Sequence, residues 1–256
     1  MLRYRPLFTF FWMELMLRKL HSYLVALSMC FFFFLLWPPL YYASLKPERY
    51  GLMIRLRRLW AFLSSFFVGI TYHFEFEEPI DWSKTYIICP YHSSNLDTSM
   101  ICLLMKNTNF CFMGKQELAD GMVTGIYFRT VDIPVNRDSK MSAFRAYKAA
   151  EEKLDSGVSM VMFPEGGIAD EYPPHLQDFK NGPFRLAIDK KIPILPVSSL
   201  NTWKILWDTG FKYGSKPGVC KIFVHKPIVT SRLKVTDADK LRDRLKNIIR
   251  QKVENV

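Results

Sequence analysis

An uncharged apolar run of 20 residues, from Tyr23 to Tyr42, limits how this chain can fold more than any other feature of its sequence. The run contains the segment CFFFFLLW and is just long enough to cross a hydrocarbon layer of roughly 30 Å. A cleavable signal peptide is not expected, because the run begins late and ends at Pro38-Pro39 without a small-residue cleavage site. The sequence therefore predicts a membrane-embedded helical element near the N-terminus.

Basic and aromatic side chains are concentrated around this run. Residues 1–70 carry nine Lys and Arg against two Glu, which places +7 of the formal net charge of +11 in about a quarter of the chain. Of the 39 aromatic residues, 20 precede residue 75. Aromatic rings favour the headgroup level of a bilayer, and Lys and Arg bind lipid phosphates. Because these cations flank apolar runs and form no polar stripe, membrane lipids are the expected partner and nucleic acid is not.

The sequence leaves the mode of membrane insertion open. A second apolar stretch runs from Leu59 to Tyr72, and five cations lie between the two stretches: Lys46, Arg49, Arg55, Arg57 and Arg58. One alternative is shallow insertion into one leaflet with these cations at the headgroups, and the other is a single spanning anchor. In both, residues 1–76 form a membrane-associated helical region, expected at the cytoplasmic face of the inner (plasma) membrane.

After residue 76 the pattern of hydrophobicity changes. Six short apolar runs have the length of β-strands, and several are β-branched: 85–89, 110–113, 131–135, 158–163, 192–197 and 219–224. Helical segments lie between them, among them Met141 to Leu154 and a last helix with Thr236 as its expected N-cap. This alternation predicts that residues 77–256 form one α/β domain, with a mainly parallel central sheet flanked by helices.

The segment YHSSNLD, residues 91–97, combines a histidine and a carboxylate at a strand exit. His92 follows a predicted strand, and Asp97 falls in the first turn of the next predicted helix, so the carboxylate can fold back onto the imidazole. Asp97 would accept a hydrogen bond from Nδ1 and leave Nε2 to take a proton from an alcohol. His92 and Asp97 are therefore the candidate catalytic residues, and the alternative is a structural bond between a loop histidine and a helix terminus.

Further candidates for substrate binding follow other predicted strands. An apolar strand breaks at Pro164, and the Glu165-Gly166-Gly167 segment after it lets a substrate approach backbone N–H groups closely. Arg137 and Lys115 also follow strands and are candidate ligands for a phosphate or carboxylate. Taken singly, each of these is more typical of an ordinary turn or a solvated side chain. The five cysteines are scattered without metal-ligand spacing, so no metal site is expected.

In this order the segments resemble the PlsC-type glycerolipid acyltransferases, also called lysophosphatidic acid acyltransferases. The similarity extends over about residues 85–200 and includes four blocks of the family. These blocks are HxxxxD at residues 92–97, PVNR at 134–137, FPEGG (close to the family's FPEGT) at 163–167, and IPILPV at 192–197.

The resemblance implies both a fold and a reaction. The domain is expected to transfer a fatty acyl group from an acyl-carrier-protein or coenzyme A thioester to the hydroxyl of a lyso-lipid, without a covalent enzyme intermediate. His92 would deprotonate the acceptor, Glu165 and the glycines after it would help to seat the acceptor, and Arg137 would add positive charge. No bound cofactor and no metal are implied. The implied acceptor is 1-acyl-sn-glycerol-3-phosphate, which would become phosphatidic acid.

Two residues of the pattern depart from the family. Tyr91 stands where Asn is common, and Gly167-Ile168-Ala169 stands where the family often has Thr-Arg-Ser, so a cation that can bind the acceptor's phosphate is missing. Lys115, Lys180 or Arg137 would have to supply that charge. The alternative acceptor is therefore a lyso-lipid without phosphate, such as a lyso-aminolipid. A non-catalytic lipid-binding protein and a lipid hydrolase are the remaining alternatives.

Overall fold

The computed structural model describes residues 5–106, 108–207 and 210–254, so the ends of the two predicted regions lie outside the described residues. The helices are α1 Arg5–Leu35, α2 Trp37–Ser44, α3 Tyr50–Phe66, α4 Leu96–Leu104, α5 Gly125–Phe128, α6 Lys140–Asp155, α7 Gly182–Lys190, α8 Thr202–Ile205 and α9 Ala238–Val253. The strands are β1 Ile70–Phe76, β2 Ile87–Pro90, β3 Phe110–Lys115, β4 Ile133–Val135, β5 Ser159–Met162, β6 Ile194–Ser199 and β7 Gly218–Val224.

These strands form one sheet in the order β1-β7-β6-β2-β5-β3-β4. Strands β6, β2, β5, β3 and β4 are parallel to one another, whereas β7 is antiparallel to β6 and β1 is parallel to β7. The predicted mainly parallel α/β sheet is thereby confirmed. The five parallel strands all end at one edge of the sheet, which we call the carboxyl edge. The opposite edge is called the amino edge.

Helices cover both faces of the sheet. Ile88 of β2 belongs to a buried cluster with residues of α3 and α4, and its neighbour Ile87 belongs to a second cluster with residues of α6, α7 and α9. Successive strand side chains point to opposite faces, so two adjacent isoleucines contribute to two separate layers of the core. A central strand buried on both faces holds the loop that follows it at the carboxyl edge.

Helices α1 and α3 form an antiparallel pair. The hydroxyl of Ser28 donates to the carbonyl of Ser64 at 2.9 Å, and Nε1 of Trp60 donates to the carbonyl of Met29 at 2.9 Å. Residues 13–35 of α1 form a 23-residue segment with a mean hydropathy of 1.2, which by length and composition could cross a membrane. The predicted N-terminal apolar helix is confirmed.

The outer face of α1 is apolar, and its inner face contains polar side chains. His21, Ser22 and Ser28 are buried against the rest of the protein and bonded there. The exposed large apolar residues of the helix lie mostly on the opposite side: Met13, Met16, Leu17, Leu20, Tyr23, Leu24, Leu27, Met29, Phe31, Phe34 and Leu35. An apolar face of this size on the protein surface is suited to a lipid layer.

Two of the five cations expected at the membrane surface instead point into the protein. Arg57 is buried and donates to both carboxylate oxygens of Asp132, at 2.9 and 2.7 Å. Arg58 donates to the backbone carbonyls of Cys102 and Met105 at the end of α4. Arg57 and Arg58 therefore attach α3 to the α/β domain and are not available to lipid headgroups.

The sequence analysis did not assign β1. The second apolar stretch divides at Gly69, where a φ of +71° ends the α3 region and turns the chain into the sheet. Strand β1 then pairs with β7 from Ile70 opposite Gly218 to Phe76 opposite Val224. The predicted boundary after residue 76 consequently falls directly behind a strand of the sheet, so residues 1–76 contribute to the α/β domain.

The N-terminus of α9 also differs from the prediction. Thr236 lies within a 3-10 turn, Val235–Asp237, and α9 begins at Ala238 with Asp237 in the N-cap position. In this turn the Asp237 carboxylate accepts the backbone N–H of Lys234 at 2.9 Å. The Asp237 carboxylate thus closes the 3-10 turn and makes no cap bond to α9 itself.

Candidate active site

His92 and Asp97 meet at the carboxyl edge of the sheet. Strand β2 ends at Pro90, the loop carries His92, and Asp97 is the second residue of α4. Nδ1 of His92 donates to Oδ2 of Asp97 at 3.2 Å. The short loop between a central strand and the next helix is what brings the two side chains together.

The carboxylate of Asp97 is fixed from several directions. Oδ2 also accepts the backbone N–H groups of Ser93 at 2.7 Å and Ser94 at 2.8 Å, and Oδ1 accepts the hydroxyl of Thr202 at 2.8 Å. The side chain is fully buried, and the first turn of a helix favours a negative charge. Asp97 is therefore held as an oriented acceptor for the imidazole.

The imidazole of His92 keeps an accessible side. Its ring stacks on Phe163, with ring centroids 3.9 Å apart and an interplanar angle of 24°. The His92 side chain is 15% exposed, and in the described part of the chain no group hydrogen-bonds its Nε2. With Nδ1 donating to Asp97, Nε2 carries the lone pair and is placed to accept a proton.

Glu165 holds the loop that carries His92. Its Oε1 accepts the backbone N–H of His92 at 2.8 Å, and its Oε2 accepts the backbone N–H of Gln177 at 2.9 Å. Burial raises the pKa of Glu165 to about 8, an effect that the two backbone hydrogen bonds partly offset. Both oxygens thus bind the protein's own backbone, so the geometry makes Glu165 a positioning residue for His92.

Three cations converge on the turn formed by Gly166 and Gly167. Nη1 of Arg137 donates to the carbonyl of Gly166 at 2.6 Å. A Cβ atom at Gly166 would lie 2.5 Å from Nη1 of Arg137 and 3.1 Å from Nζ of Lys180, and one at Gly167 would lie 3.8 Å from Nζ of Lys115. Gly166 also has a φ of +86°. This backbone conformation favours glycine at position 166, and the missing side chain leaves space for the guanidinium and the ammonium groups.

The charges of this cation cluster, Arg137, Lys180 and Lys115, are incompletely balanced. Burial lowers the pKa of Lys180, and the positive charges of Arg137 and Lys115 lower it further. Burial likewise lowers the pKa of Arg137, against a smaller opposing effect of Glu117. A lysine whose pKa is depressed by neighbouring cations at a surface turn is stabilised in its charged form when an anion such as a phosphate binds between them.

The eight predicted site residues thus form two neighbouring groups. His92, Asp97 and Glu165 form one network, and the cation cluster surrounds the glycines that directly follow Glu165. The sequence analysis missed three contributors: Thr202, Gln177 and Phe163. Of these only Phe163 carried a local signal, since it ends a predicted strand directly before the PEGG turn.

Ser93 and Ser94 are fully buried next to the His92–Asp97 pair. The hydroxyl of Ser93 lies 3.0 Å from that of Thr202, and the hydroxyl of Ser94 donates to the carbonyl of Leu206 at 2.5 Å. Both hydroxyls are therefore occupied within the loop and are not presented to a substrate.

Comparison with known proteins agrees with this geometry. The family model described as Acyltransferase matches residues 71–200, which is half of the chain and includes all eight predicted site residues. The chain belongs to the acyltransferase family. The PlsC-type relationship predicted from the four motifs is confirmed by the relatives and the fold described next.

Curated relatives of this acyltransferase occur in plants. A chloroplastic 1-acyl-sn-glycerol-3-phosphate acyltransferase of Brassica napus is 28% identical over 166 residues, which are 64% of this chain and 45% of that protein. A chloroplastic enzyme of the same description from Arabidopsis thaliana is 28% identical over 145 residues, 56% of this chain and 39% of that protein. The matched region is therefore less than half the length of these two relatives.

A solved structure shares the fold of this acyltransferase. The crystal structure of the 1-acyl-sn-glycerophosphate acyltransferase PlsC from Thermotoga maritima superimposes with a TM-score of 0.74 at 20% identity. The match covers 95% of this chain and 96% of the other. It shows that the N-terminal helices and the sheet together form the shared architecture.

Proposed function

We propose that this protein is a membrane-bound O-acyltransferase that acylates the free hydroxyl of 1-acyl-sn-glycerol-3-phosphate to give phosphatidic acid. The observation that carries the proposal is the cation cluster at Gly166 and Gly167, directly beside the His92–Asp97 pair. This acceptor has a hydroxyl and a phosphate on neighbouring carbons. The site offers a base for the hydroxyl and positive charge for the phosphate.

The proposed reaction is direct transfer between the two substrates. Nε2 of His92 takes the proton from the acceptor hydroxyl while its oxygen attacks the thioester carbonyl carbon. Asp97 stabilises the imidazolium that forms. The C–S bond then breaks, and the thiolate leaves and takes the proton from the imidazolium. No acyl-enzyme is formed, in keeping with the buried hydroxyls of Ser93 and Ser94, and the scheme uses no metal or bound cofactor.

The proposed donor is an acyl-carrier-protein or coenzyme A thioester. Both are water-soluble, whereas the acceptor is a membrane lipid, so the site has to work at a lipid surface. The apolar face of α1 supports this location. Because both donors are cytoplasmic molecules, we place the protein at the cytoplasmic face of the inner (plasma) membrane.

A panel of acceptors tests the proposal. The purified full-length protein in detergent is given an acyl thioester with either 1-acyl-sn-glycerol-3-phosphate or phosphate-free lyso-lipids, including lyso-aminolipids, and thiol release and acylated product are measured. We expect turnover with the phosphate-bearing acceptor. Turnover of a phosphate-free acceptor with none of 1-acyl-sn-glycerol-3-phosphate would overturn the assigned acceptor. Free fatty acid without acylated product would indicate a hydrolase, and the absence of any turnover a lipid-binding protein.

A single substitution tests whether the cation cluster determines which acceptor is used. Arg137→Gln removes one charge-assisted contact to phosphate, worth about 1.5–3 kcal/mol, so the KM for 1-acyl-sn-glycerol-3-phosphate should rise about 10- to 100-fold. The KM for a phosphate-free acceptor should not change. The matched control is Arg232→Gln, which removes the same charge from an exposed residue outside the site. An equal effect of both variants would show that Arg137 does not recognise the phosphate.

A further inference from the structure

Four aromatic residues form a cluster beside the active site that acyl transfer, as proposed, does not use. The ring of Tyr172 stacks on Tyr213 at 4.1 Å and meets Trp203 and Trp207 edge-on at 5.5 and 5.6 Å. Trp207 and Tyr213 are also in contact, at 5.3 Å. Tyr172 lies in the loop after β5 and the other three follow β6, so the aromatic cluster is at the carboxyl edge of the sheet.

Two exposed lysines accompany the aromatic cluster. Nζ of Lys204 lies 5.4 Å from the ring centroid of Trp203, and Nζ of Lys212 lies 5.6 Å from Trp207 and 5.3 Å from Tyr213. Neither lysine forms an ion pair with the residues that the structure describes. Each therefore carries a positive charge that is available to an anionic partner.

The surface around the aromatic cluster continues into the apolar face of α1. Phe211 is 49% exposed and Tyr23 of α1 is 63% exposed, and their ring centroids are 5.5 Å apart. The hydroxyl of Ser22 donates to the carbonyl of Gly210 at 2.9 Å, and the backbone N–H of Ser215 donates to the carbonyl of Arg18 at 2.9 Å. The segment that carries the cluster is thus fastened to the N-terminal half of α1.

We propose that the accessible part of the aromatic cluster, Tyr172, Trp203 and Tyr213 over the buried Trp207, forms with Lys204 and Lys212 a second membrane-contact surface that lies in the headgroup layer of an anionic phospholipid bilayer next to α1. Tyr and Trp have an apolar body and a polar tip, which suits them to the interface between hydrocarbon and water. Lysines at this level attract anionic lipids, with about 1 kcal/mol for each charge. Continuity with the apolar face of α1 selects a bilayer as the partner over an acidic protein.

The reporter for this surface is Trp203. In the full-length protein reconstituted into vesicles, tryptophan emission is quenched with lipids brominated close to the headgroup, and the wild type is compared with Trp203→Phe. We expect Trp203→Phe to remove a quenchable part of the emission. Trp82→Phe is the matched control, because Trp82 is also half-buried but precedes β2 at the amino edge. If the Trp203 emission is not quenched, the proposal is wrong.

Charge removal tests the role of the lysines. Lys204→Gln/Lys212→Gln should speed the transfer of the protein out of anionic vesicles about 30-fold, from about 1 kcal/mol for each charge, and should leave transfer out of neutral vesicles unchanged. The control Lys84→Gln/Lys191→Gln removes two exposed lysines at the amino edge. Equal rates for the two double variants would refute the surface.

An acidic protein is distinguished from a bilayer in the same experiments. If Trp203 is unquenched and Lys204→Gln/Lys212→Gln weakens only the use of acyl-carrier-protein thioesters, a protein docks here and the membrane assignment fails. Neither membrane experiment requires turnover. A protein without activity would therefore contradict the proposed reaction but not the proposed membrane-contact surface. Thermal unfolding of each variant confirms that it is folded.

Discussion

Two histidine–carboxylate pairs lie at opposite edges of the same sheet. His92 and Asp97 are at the carboxyl edge, 3.2 Å apart, and His225 and Glu77 are at the amino edge, 3.7 Å apart. In both, a Glu carboxylate accepts a backbone N–H at or next to the histidine: Glu165 binds the N–H of His92 and Glu77 binds that of Lys226. Both arrangements contain a histidine with a carboxylate beside it, and they differ in which of these two side chains is buried.

At the carboxyl edge the carboxylate is buried, and at the amino edge the imidazole is. The Asp97 side chain is 0% exposed and the Glu77 side chain 36%, whereas His225 is nearly inaccessible at 6%. Nε2 of His225 lies 2.8 Å from the hydroxyl of Ser198, while Nδ1 faces Glu77. Burial lowers the pKa of His225 to about 4. A histidine–carboxylate contact is therefore not a sign of catalysis unless one ring nitrogen can still reach a substrate.

The largest expected difference between the two pairs is in the turnover that remains after each imidazole is removed. His92→Ala should lower turnover about 10³-fold, because a general base is worth about 10²–10⁴-fold. His225→Ala should leave turnover within a few-fold, although it leaves the Ser198 hydroxyl unpaired and lowers the melting temperature. Thiol release under saturating substrates measures the first effect and thermal unfolding the second. Wild-type turnover in His92→Ala would remove the basis for general-base catalysis.

Neutralising each carboxylate should give the next largest difference in turnover between the two pairs. Asp97→Asn still has an oxygen for the N–H groups of Ser93 and Ser94 and an amide that can donate to Thr202. The fold should survive while turnover falls about 10²-fold, because the imidazolium loses its negative partner. Glu77→Gln should change turnover less than two-fold. The ratio of the two rate losses is the measurement, and equal losses would contradict the assignment of roles.

A smaller loss of turnover is expected when the hydroxyl that hydrogen-bonds to Asp97 is removed. Thr202→Val removes the 2.8 Å hydrogen bond to Oδ1 and should lower turnover about five- to ten-fold, since one neutral-to-charged hydrogen bond is lost. Thr230→Val is the matched control, because Thr230 is equally buried and donates to the carbonyl of Ala187 at 3.1 Å. Both variants should lose similar stability. If they also lose similar activity, Thr202 acts only on the fold.

A pair of opposite pH dependences of stability is also expected. The pKa of Glu165 rises from an ordinary 4.5 to about 8, so this group makes the free energy of unfolding fall as pH rises between these values. The pKa of His225 falls from 6.5 to about 4, so that group makes the free energy of unfolding fall as pH drops through this range. Each slope is at most about 1.4 kcal/mol per pH unit.

Melting temperatures measured from pH 4 to 8 separate the two groups. Relative to the wild type, Glu165→Gln should gain stability as pH rises from 4.5 to 8. His225→Gln should gain relative stability as pH drops from 6.5 to 4. A difference from the wild type that stays constant with pH in either variant would show that the group has no shifted pKa.

The His92–Asp97 pair was predictable because its geometry is local. Asp97 lies five positions after His92, and a strand followed by a helix leaves few ways to arrange them. The cation cluster was predictable as a set of residues, because the carboxyl ends of parallel strands meet at one edge. The convergence of these cations on Gly166 could not be predicted, since Lys115 ends β3 while Arg137 and Lys180 come from the loops after β4 and β5, whose paths depend on tertiary packing.

What the sequence could not show depends on distant contacts. Thr202 reaches Asp97 across 105 residues, and nothing in its local sequence distinguishes it from other threonines. The reversed direction of β7 is set by the connection from β6 and leaves no trace in its hydrophobic pattern. Strand β1 did carry a signal, the alternation of Ile70, Tyr72 and Phe74 with polar residues. The apolar end of α3 directly before it obscured this signal.

The pairing of β1 with β7 also determines when the sheet can close during synthesis. Ile70 can pair only after Gly218 has been synthesised, 148 residues later. At a translation rate of about 5–20 residues per second this interval lasts roughly 7–30 s. Throughout that time the apolar face of α1 has already left the ribosome, without the loop at residues 210–215 that later covers its polar side. The nascent chain thus exposes this apolar face before it has a finished sheet.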